Sequence, residues 1–531
     1  MRLEVAEYID ELTRRQARDR LLAFTEHCFN GDYDVAWHNI LICEELDNWI
    51  EGRSHPNLIL MVPPRYGKSE LVSRMLPAYI FGRFPDSQII AVSYSQDLMM
   101  RMSRDSQRII TSEPYQKIFP KTKLAASAGT KRIGGVIISQ TGAQYEIVGY
   151  KGRYMAAGVG TGITGHGADY GILDDVTKDR QAAESPTVRD NVWEWYTSTF
   201  RTRLEKGAKQ VLLMTRWHQE DLAGRLIKRM ESDPEADQWN IIALPALFEA
   251  SKYNHPKDNR KPGEALWPRK YDEKALRNAK ASIGSYDFQS LYQQNPSPPE
   301  GAIAKREWFK FVDKPPEGLQ WVRFWDLAVS GNAEADYTAS IKMAVDRFGQ
   351  YYIDQPIRGK WVWPTAKKIL IDTCLSESEV EYGIETGGPQ KGLADDLLYE
   401  EALSDVNIRG FVPVGNKLCR ALIWFARLEA GRISLVRGAW NEEYIDEVCR
   451  FKGVDGDRDD QVDATSGGWK MLSDRWGGME FVETDEEDKP PLTDEEQKVT
   501  DVKDAEEREA KQAKDEADFE AAAIVDDELF T

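Results

Sequence analysis

Short apolar runs alternate with amphipathic stretches through the first half of the chain. Leu58 to Val62, Ser87 to Ser95, Tyr170 to Asp174 and Gln210 to Thr215 are too short for helices and carry few polar positions. Such runs predict strands buried on both faces. Between them apolar residues return at helical spacing, as at Ile40, Leu46 and Ile50, and at Leu71, Met75 and Ile80. Strands alternating with helices predict a parallel α/β sheet with its ligand site at the carboxyl ends of the strands.

Before this unit, residues 1–36 read as a mostly polar helical segment. Leu12, Leu21, Leu22, Phe24 and Phe29 are available to pack there, either as a cap or as a docking element for another protein. Residues 37–292 form the first domain, with a polar surface loop at 251–270 and a closing helix at 272–294. The stretch 293–305, containing Asn295-Pro-Ser-Pro-Pro-Glu-Gly301, reads as a stiff linker.

The pattern changes in the second domain, 306–476. Strands are predicted at Trp321 to Asp326, Asp336 to Ala344 and Gln350 to Asp354, as an antiparallel meander. A helix at 362–376 precedes another strand, Val380 to Thr386, and a late helix opens around Asp457 to Ala464. Residues 477–531 carry 21 acidic and 6 basic side chains and read as a disordered tail, solubilising or ending in a docking motif.

Charge changes the picture only once it is located. The formal net charge is −20, but outside the tail 63 basic side chains face 68 acidic ones. The acidic balance therefore belongs mostly to the tail and does not exclude a nucleic-acid partner. Five scattered cysteines (28, 43, 374, 419 and 449) with no CxxC argue against zinc or a disulfide framework and suit a reducing compartment. No apolar run approaches the roughly 18 residues of a membrane span. The charged amphipathic start is unlike a secretory signal.

Candidate chemistry lies at the strand ends. After Leu58 to Val62 come Pro63-Pro-Arg-Tyr-Gly-Lys-Ser69 and a helix. Strand, tight loop, Gly-Lys-Ser and helix start suit a phosphate-binding loop. Lys68 reaches terminal phosphates and Ser69 ligates Mg²⁺. Val62 stands where the full motif has glycine. About a hundred residues on, Tyr170-Gly-Ile-Leu-Asp-Asp175 delivers paired carboxylates, one to hold hydrated Mg²⁺ and one to polarise water. Thr215, closing a third core strand, is either a γ-phosphate sensor or a strand cap. His38 is either a surface or cap histidine or a flank for an adenine base. Arg101, Arg104 and Arg108 share one helix face, solvated or facing phosphates. Seven glycines in 149–169 predict a mobile or closely packed loop.

In the second domain Asp326 lies on a first strand, Glu385 ends a later one, and Asp459, Asp460 and Asp463 begin a late helix. That order resembles the ribonuclease-H-like fold, whose convergent carboxylates hold two divalent ions for attack on a phosphodiester. Lys391, Lys417, Arg420 and Arg427, with Trp424 and Phe425 between, form either a DNA-guiding face or a mixed helix with the aromatics turned inward.

Together these motifs resemble the large terminase subunit of tailed bacteriophages, over roughly residues 35–475. The carriers are Val62 to Ser69, Gly165 to Asp175 with Lys178-Asp-Arg, Met214 to Arg225, Tyr292 to Pro296, Trp325-Asp326, Asp336-Tyr-Thr-Ala, Gly383 to Thr386 and Asp459 to Ala464. The resemblance implies an α/β architecture: an ASCE-type P-loop parallel-sheet ATPase domain followed by a ribonuclease-H-like nuclease domain. It implies ATP and Mg²⁺ at Arg65, Tyr66, Gly67, Lys68, Ser69, Glu70 and Asp174, with Asp175 orienting water and Thr215 coupling hydrolysis to motion. Asp326, Glu385 and Asp460 would ligate nuclease Mg²⁺ or Mn²⁺, with Asp459 and Asp463 close by. His166 stands where relatives often have arginine, which leaves Arg153 or Arg101 as candidates for an arginine finger acting on a neighbouring subunit.

The implied function is a viral DNA-packaging motor that also cuts concatemeric DNA. Its implied partners are double-stranded DNA, the procapsid portal, a small terminase subunit and further copies in a ring. Its implied place is the host cytoplasm, transiently at the portal, not the mature virion or a membrane. An ATP-dependent repair helicase/nuclease is the nearest rival and needs a second motor domain. A structural virion protein with ion-binding acids is a more distant one.

Overall fold

The apolar run after Asn57 is hydrogen-bonded on both edges and buried from Leu58 onward, as a strand with no polar face requires. The computed structural model describes residues 2–124, 129–133, 136–163, 165–296, 303–328, 337–377, 379–387, 390–453 and 459–476. Residues 1–472 form one compact unit, and it contains two sheets.

The first sheet comprises Asn57–Met61 (β1), Gln88–Ser93 (β2), Gly129–Ile133 (β3), Val136–Gln140 (β4), Gln144–Glu146 (β5), Arg153–Gly158 (β6), Ala168–Asp174 (β7), Leu204–Met214 (β8) and Asn240–Ala243 (β9). Its order is β3-β4-β5-β6-β2-β7-β8-β1-β9. From β6 to β9 every neighbour is parallel, while β3 to β6 pair antiparallel. Between β1, which feeds the Gly-Lys-Ser loop, and β7, which carries Asp174, lies β8. That extra strand gives the ASCE arrangement of a P-loop ATPase fold.

The second sheet comprises Lys310–Val312 (β10), Trp321–Asp326 (β11), Thr338–Val345 (β12), Tyr351–Gly359 (β13), Val380–Glu385 (β14), Ile408–Phe411 (β15) and Ile433–Val436 (β16). Its order is β10-β16-β13-β12-β11-β14-β15. The β11-β12-β13 meander is antiparallel, and β14 and β15 continue parallel to β11. This is the ribonuclease-H-like arrangement. It places the ends of β11 and β14 side by side.

Several expectations change. The glycine-rich stretch contains β6, because Tyr154, Ala156 and Ala157 are buried beside β2. The loop 251–270 is anchored rather than merely superficial, with Ala265, Leu266 and Trp267 buried. The closing helix Glu273–Leu291 breaks at Gly284, where φ is 82° and ψ 163°. The first residues of the stretch read as a stiff linker are tied to the preceding unit. Gln293 accepts from the Leu247 amide (3.0 Å) and buried Gln294 accepts from the Arg216 amide (3.1 Å). At the N-terminus, Leu21 and Phe24 are core residues, whereas Leu12 is exposed. Asp336, Asp457, the linker residues 297–302 and the tail 477–531 lie outside the described residues. Among the described residues no helix is long and apolar enough to cross a membrane.

Candidate active sites

The loop after β1 turns on two left-handed residues, Arg65 (φ 67°) and Gly67 (φ 80°). A non-glycine residue held there is strained, a condition concentrated at functional sites. The helix that follows starts with a π-helical stretch, Glu70–Met75. Such turns are rare and recur where function dictates geometry. Parallel pairing of β1, β8, β7 and β2 brings the loop, Thr215, Asp174 and Asp175 to one sheet edge.

There Lys68 is buried and donates to the Thr215 hydroxyl, with its Nζ 3.1 Å from Asp175 Oδ2. The Thr215 amide donates to Asp175 Oδ1 (2.8 Å), and the Thr215 hydroxyl donates to the Val62 carbonyl (3.2 Å). Asp175 is itself left-handed (φ 45°). Asp174 is fully enclosed and accepts from Ser69 Oγ (3.2 Å) and Ser73 Oγ (2.6 Å). Burial, then the neighbouring Asp175 charge, pushes its carboxyl up to about 6. A hydroxyl meeting a carboxylate offers the hard oxygen donors that suit Mg²⁺.

The other expected nucleotide contacts differ in kind. Arg65 is exposed, and Lys270 Nζ lies 3.4 Å from its carbonyl. Tyr66 turns its ring away into an aromatic cluster with His38, Trp267 and Tyr271, so only its backbone is available to a phosphate. Glu70 is ion-paired with Arg74.

His38 is not a surface histidine. It is fully buried beneath the loop, and its Nε2–H donates to the Tyr66 carbonyl (3.1 Å). Burial pushes its pKa down to about 4, so the imidazole is neutral. The unfolded chain takes up a proton that this histidine refuses. Stability should therefore fall as pH drops from about 6.5 towards 4, by roughly 3 kcal/mol from this group. In His38→Gln, melting temperature plotted against pH should lose that part of its acid slope. An unchanged slope would contradict the assignment.

In the second sheet, Asp326 ends β11 and Glu385 ends the adjacent β14. Helix Asp460–Trp476 brings Asp460 and Asp463 towards them. Burial, then the charges of Asp463, Glu385 and Asp460 in that order, pushes Asp326 well above the ordinary carboxylate range. Burial raises Glu385 too, and Asp463 adds to it. Asp463 is thus felt by both strand acids. Asp460 instead accepts from the Tyr337 amide (3.2 Å) and lies 3.9 Å from Arg358.

An all-carboxylate set suits Mg²⁺ or Mn²⁺. Yet among the described residues no three His, Cys, Asp or Glu side chains are close enough to hold an ion. Two cations engage the acids instead. Lys417 Nζ is 2.8 Å from both Asp459 oxygens and 3.0 Å from Asp463, and Arg420 is 2.8 Å from Asp463. The aromatics of the basic stretch are turned inward. Trp424 and Phe425 are buried, with Trp424 Nε1 donating to Ser466 (3.1 Å).

The family model described as terminase large subunit, T4-like-virus type, N-terminal, matches residues 59–283. Residues 59–283 are thus similar to the N-terminal part of large terminase subunits. Similar solved structures include the large terminase of a thermophilic bacteriophage, at 10% identity, 81% of this chain, 97% of that one and a TM-score of 0.45. The HK97 large terminase matches at 12% identity, 76% and 86% coverage and a TM-score of 0.31. The magnesium-bound large terminase nuclease of phage G20c matches at 12% identity, 32% and 96% coverage and a TM-score of 0.24. No curated protein matches the chain.

Within the matched region, Arg153 pairs with Glu146 (2.9 Å) and lies 3.3 Å from His166 Nδ1. It starts β6, at the sheet edge opposite the chain's own phosphate loop. Arg101, Arg104 and Arg108 are exposed on one helix face. Sequence reasoning missed the supports of the Lys68 site. Gln294, held at positive φ, fastens the strand end next to Thr215. The only sequence signal for it was the Tyr292-Gln-Gln-Asn-Pro motif.

Proposed function

We propose that this chain is the motor and nuclease subunit that packages a phage genome, hydrolysing ATP to drive double-stranded DNA into a procapsid. The observation that carries it is the Lys68–Asp175–Thr215 constellation on an ASCE sheet, in the same chain as carboxylates meeting on a ribonuclease-H-like sheet.

Without nucleotide, Lys68 neutralises Asp175. When a terminal phosphate competes for the ammonium, Asp175 is freed to accept a proton from, and orient, the attacking water. The Thr215 amide keeps that carboxylate aimed while its hydroxyl exchanges partners with Lys68. The residues that would hold Mg²⁺ are Ser69 and Asp174, and the ion supplies charge neutralisation at the phosphate oxygens. Arg65, exposed at the loop tip, is free to reach the γ-phosphate.

In the nuclease half, Asp326, Glu385 and Asp460, with Asp459 and Asp463 beside them, would hold Mg²⁺ or Mn²⁺. Those ions supply water activation and leaving-group stabilisation. Asp463 shares this role more closely than its sequence position alone indicated. The domains then run 37–292 for the ATPase and 306–476 for the nuclease. The proposed partners are the portal, a small terminase subunit and other copies in a ring, in the host cytoplasm. A repair helicase would need a second motor sheet, and the second sheet here has a different strand order. ATP-driven uptake of double-stranded DNA into purified procapsids tests the assignment.

A further inference from the structure

Helix Lys417–Glu429 joins the two halves at its two ends. At its first turn, Lys417 and Arg420 make the ion pairs with Asp459 and Asp463 described above. At its last turn, Glu429 reaches the broken helix of the ATPase half. The break at Gly284 leaves the following turn without intrahelical acceptors for its first amides. Glu429 fills that need. The Ser285 amide donates to Glu429 Oε2 (2.8 Å) and the Ser285 hydroxyl donates to Oε1. A carboxylate at a helix N-terminus is also favoured by the helix dipole. Packing there is tight, because a Cβ added at Gly284 would stand 3.0 Å from Ala426 Cβ.

Residues 285–291 are themselves tied to the ATP site twice. Tyr286 donates to Glu184 (3.0 Å), and Asp287 pairs with Arg180, both on the short helix that follows Asp175. Just beyond them, Gln294 holds the Arg216 amide next to Thr215. A 13-residue helix is a rod about 20 Å long, so displacement of one end is felt at the other.

We propose that this helix is a gate on the nuclease: Lys417 and Arg420 hold the acids in a cation-paired state that competes with divalent ions, and the Ser285–Glu429 contact keeps the gate seated. This deepens the nuclease reading and rests on it. An ammonium within 3.0 Å of two carboxylates occupies their lone pairs and repels an incoming divalent charge. Movement at the ATP site that shifts residues 285–291 would unseat Glu429 and draw the cations away. The nuclease would then bind its ions more tightly in one state of the motor than in another.

The test is Mn²⁺ binding to the full chain without nucleotide, followed by electron paramagnetic resonance. The nuclease sites are defined as those lost in Asp326→Asn. Lys417→Met should tighten Mn²⁺ binding at those sites by about tenfold, and Glu429→Ala should tighten it by a smaller factor. Ser285→Ala, which removes the hydroxyl donor from the other side, provides a second route to the same unseating and should act in the same direction as Glu429→Ala. If Asp326→Asn removes no Mn²⁺, the nuclease reading itself fails. If it does remove Mn²⁺, but Lys417→Met leaves affinity unchanged or weakens it, the gate is overturned. If Lys417→Met tightens binding while Glu429→Ala and Ser285→Ala do not, the link to the ATPase half is overturned.

Discussion

Lys68→Ala should lower DNA-stimulated ATP turnover by roughly 10³-fold, the loss expected when one preorganised charge that stabilises a phosphoryl transition state is removed. Lys68 is the buried cation of the site and contacts both Asp175 and Thr215. Its removal takes away the phosphate contact and also the group that sets the geometry of the two strand ends. Because Asp175 keeps the Thr215 amide and some solvent contact, the fold should persist. Mn²⁺- or Mg²⁺-dependent DNA cleavage assayed without nucleotide, where parent and variant share one motor state, should stay within about twofold of the parent, since its acids lie outside the first sheet. Phosphate release and plasmid nicking, measured side by side, check both halves. Loss of both activities in a folded protein would contradict the separation of sites.

The second large effect is the reverse one. Asp326→Asn should lower DNA cleavage by about 10³-fold while ATP turnover continues. A divalent ion stabilises several kcal/mol of transition-state charge, and each 1.4 kcal/mol is about tenfold in rate. Asp326 is the strand acid that faces Asp463, Glu385 and Asp460 together, so it has the most to contribute to holding an ion. Asparagine preserves its size and the contact from Gln390 Nε2 (2.9 Å) while removing the charge. The unliganded protein should be no less stable than the parent, because a buried carboxylate crowded by like charges is itself costly. A variant that cuts DNA normally would show that Asp326 does not serve the nuclease.

The parallel strands were legible because burial on both faces leaves a local mark, a run such as Leu58 to Val62 or Ile172 to Leu173 with no polar alternation. The motifs at their ends were legible because phosphate and metal chemistry restricts residue type. What escaped was set by contacts distant in sequence. The short strand β9 has only four residues and two half-buried ones, too few to separate from a loop. Strand β4 carries only a three-residue apolar run, Val136 to Ile138, and β3 a single apolar residue, Ile133, too little to predict either by itself. The burial of His38 was not legible, because it packs on Tyr66 and Trp267, 28 and 229 positions away. Lys417 and Arg420 read as a basic face because Asp459 and Asp463 are more than forty residues further on. The break at Gly284 was hidden inside a continuous helical pattern, since the carboxylate that caps the turn after it, Glu429, lies in the other half of the protein.

The central claim is that one chain couples ATP hydrolysis at Lys68 to movement of DNA. The most direct measurement is protection of double-stranded DNA from added nuclease after incubation with purified procapsids, ATP and this protein. Protected DNA should lengthen with time, require ATP, and vanish with Lys68→Ala. It should survive Asp326→Asn when the DNA is supplied already linear. Full ATP turnover with no DNA protected at any time, from procapsids shown to carry the portal, would contradict it.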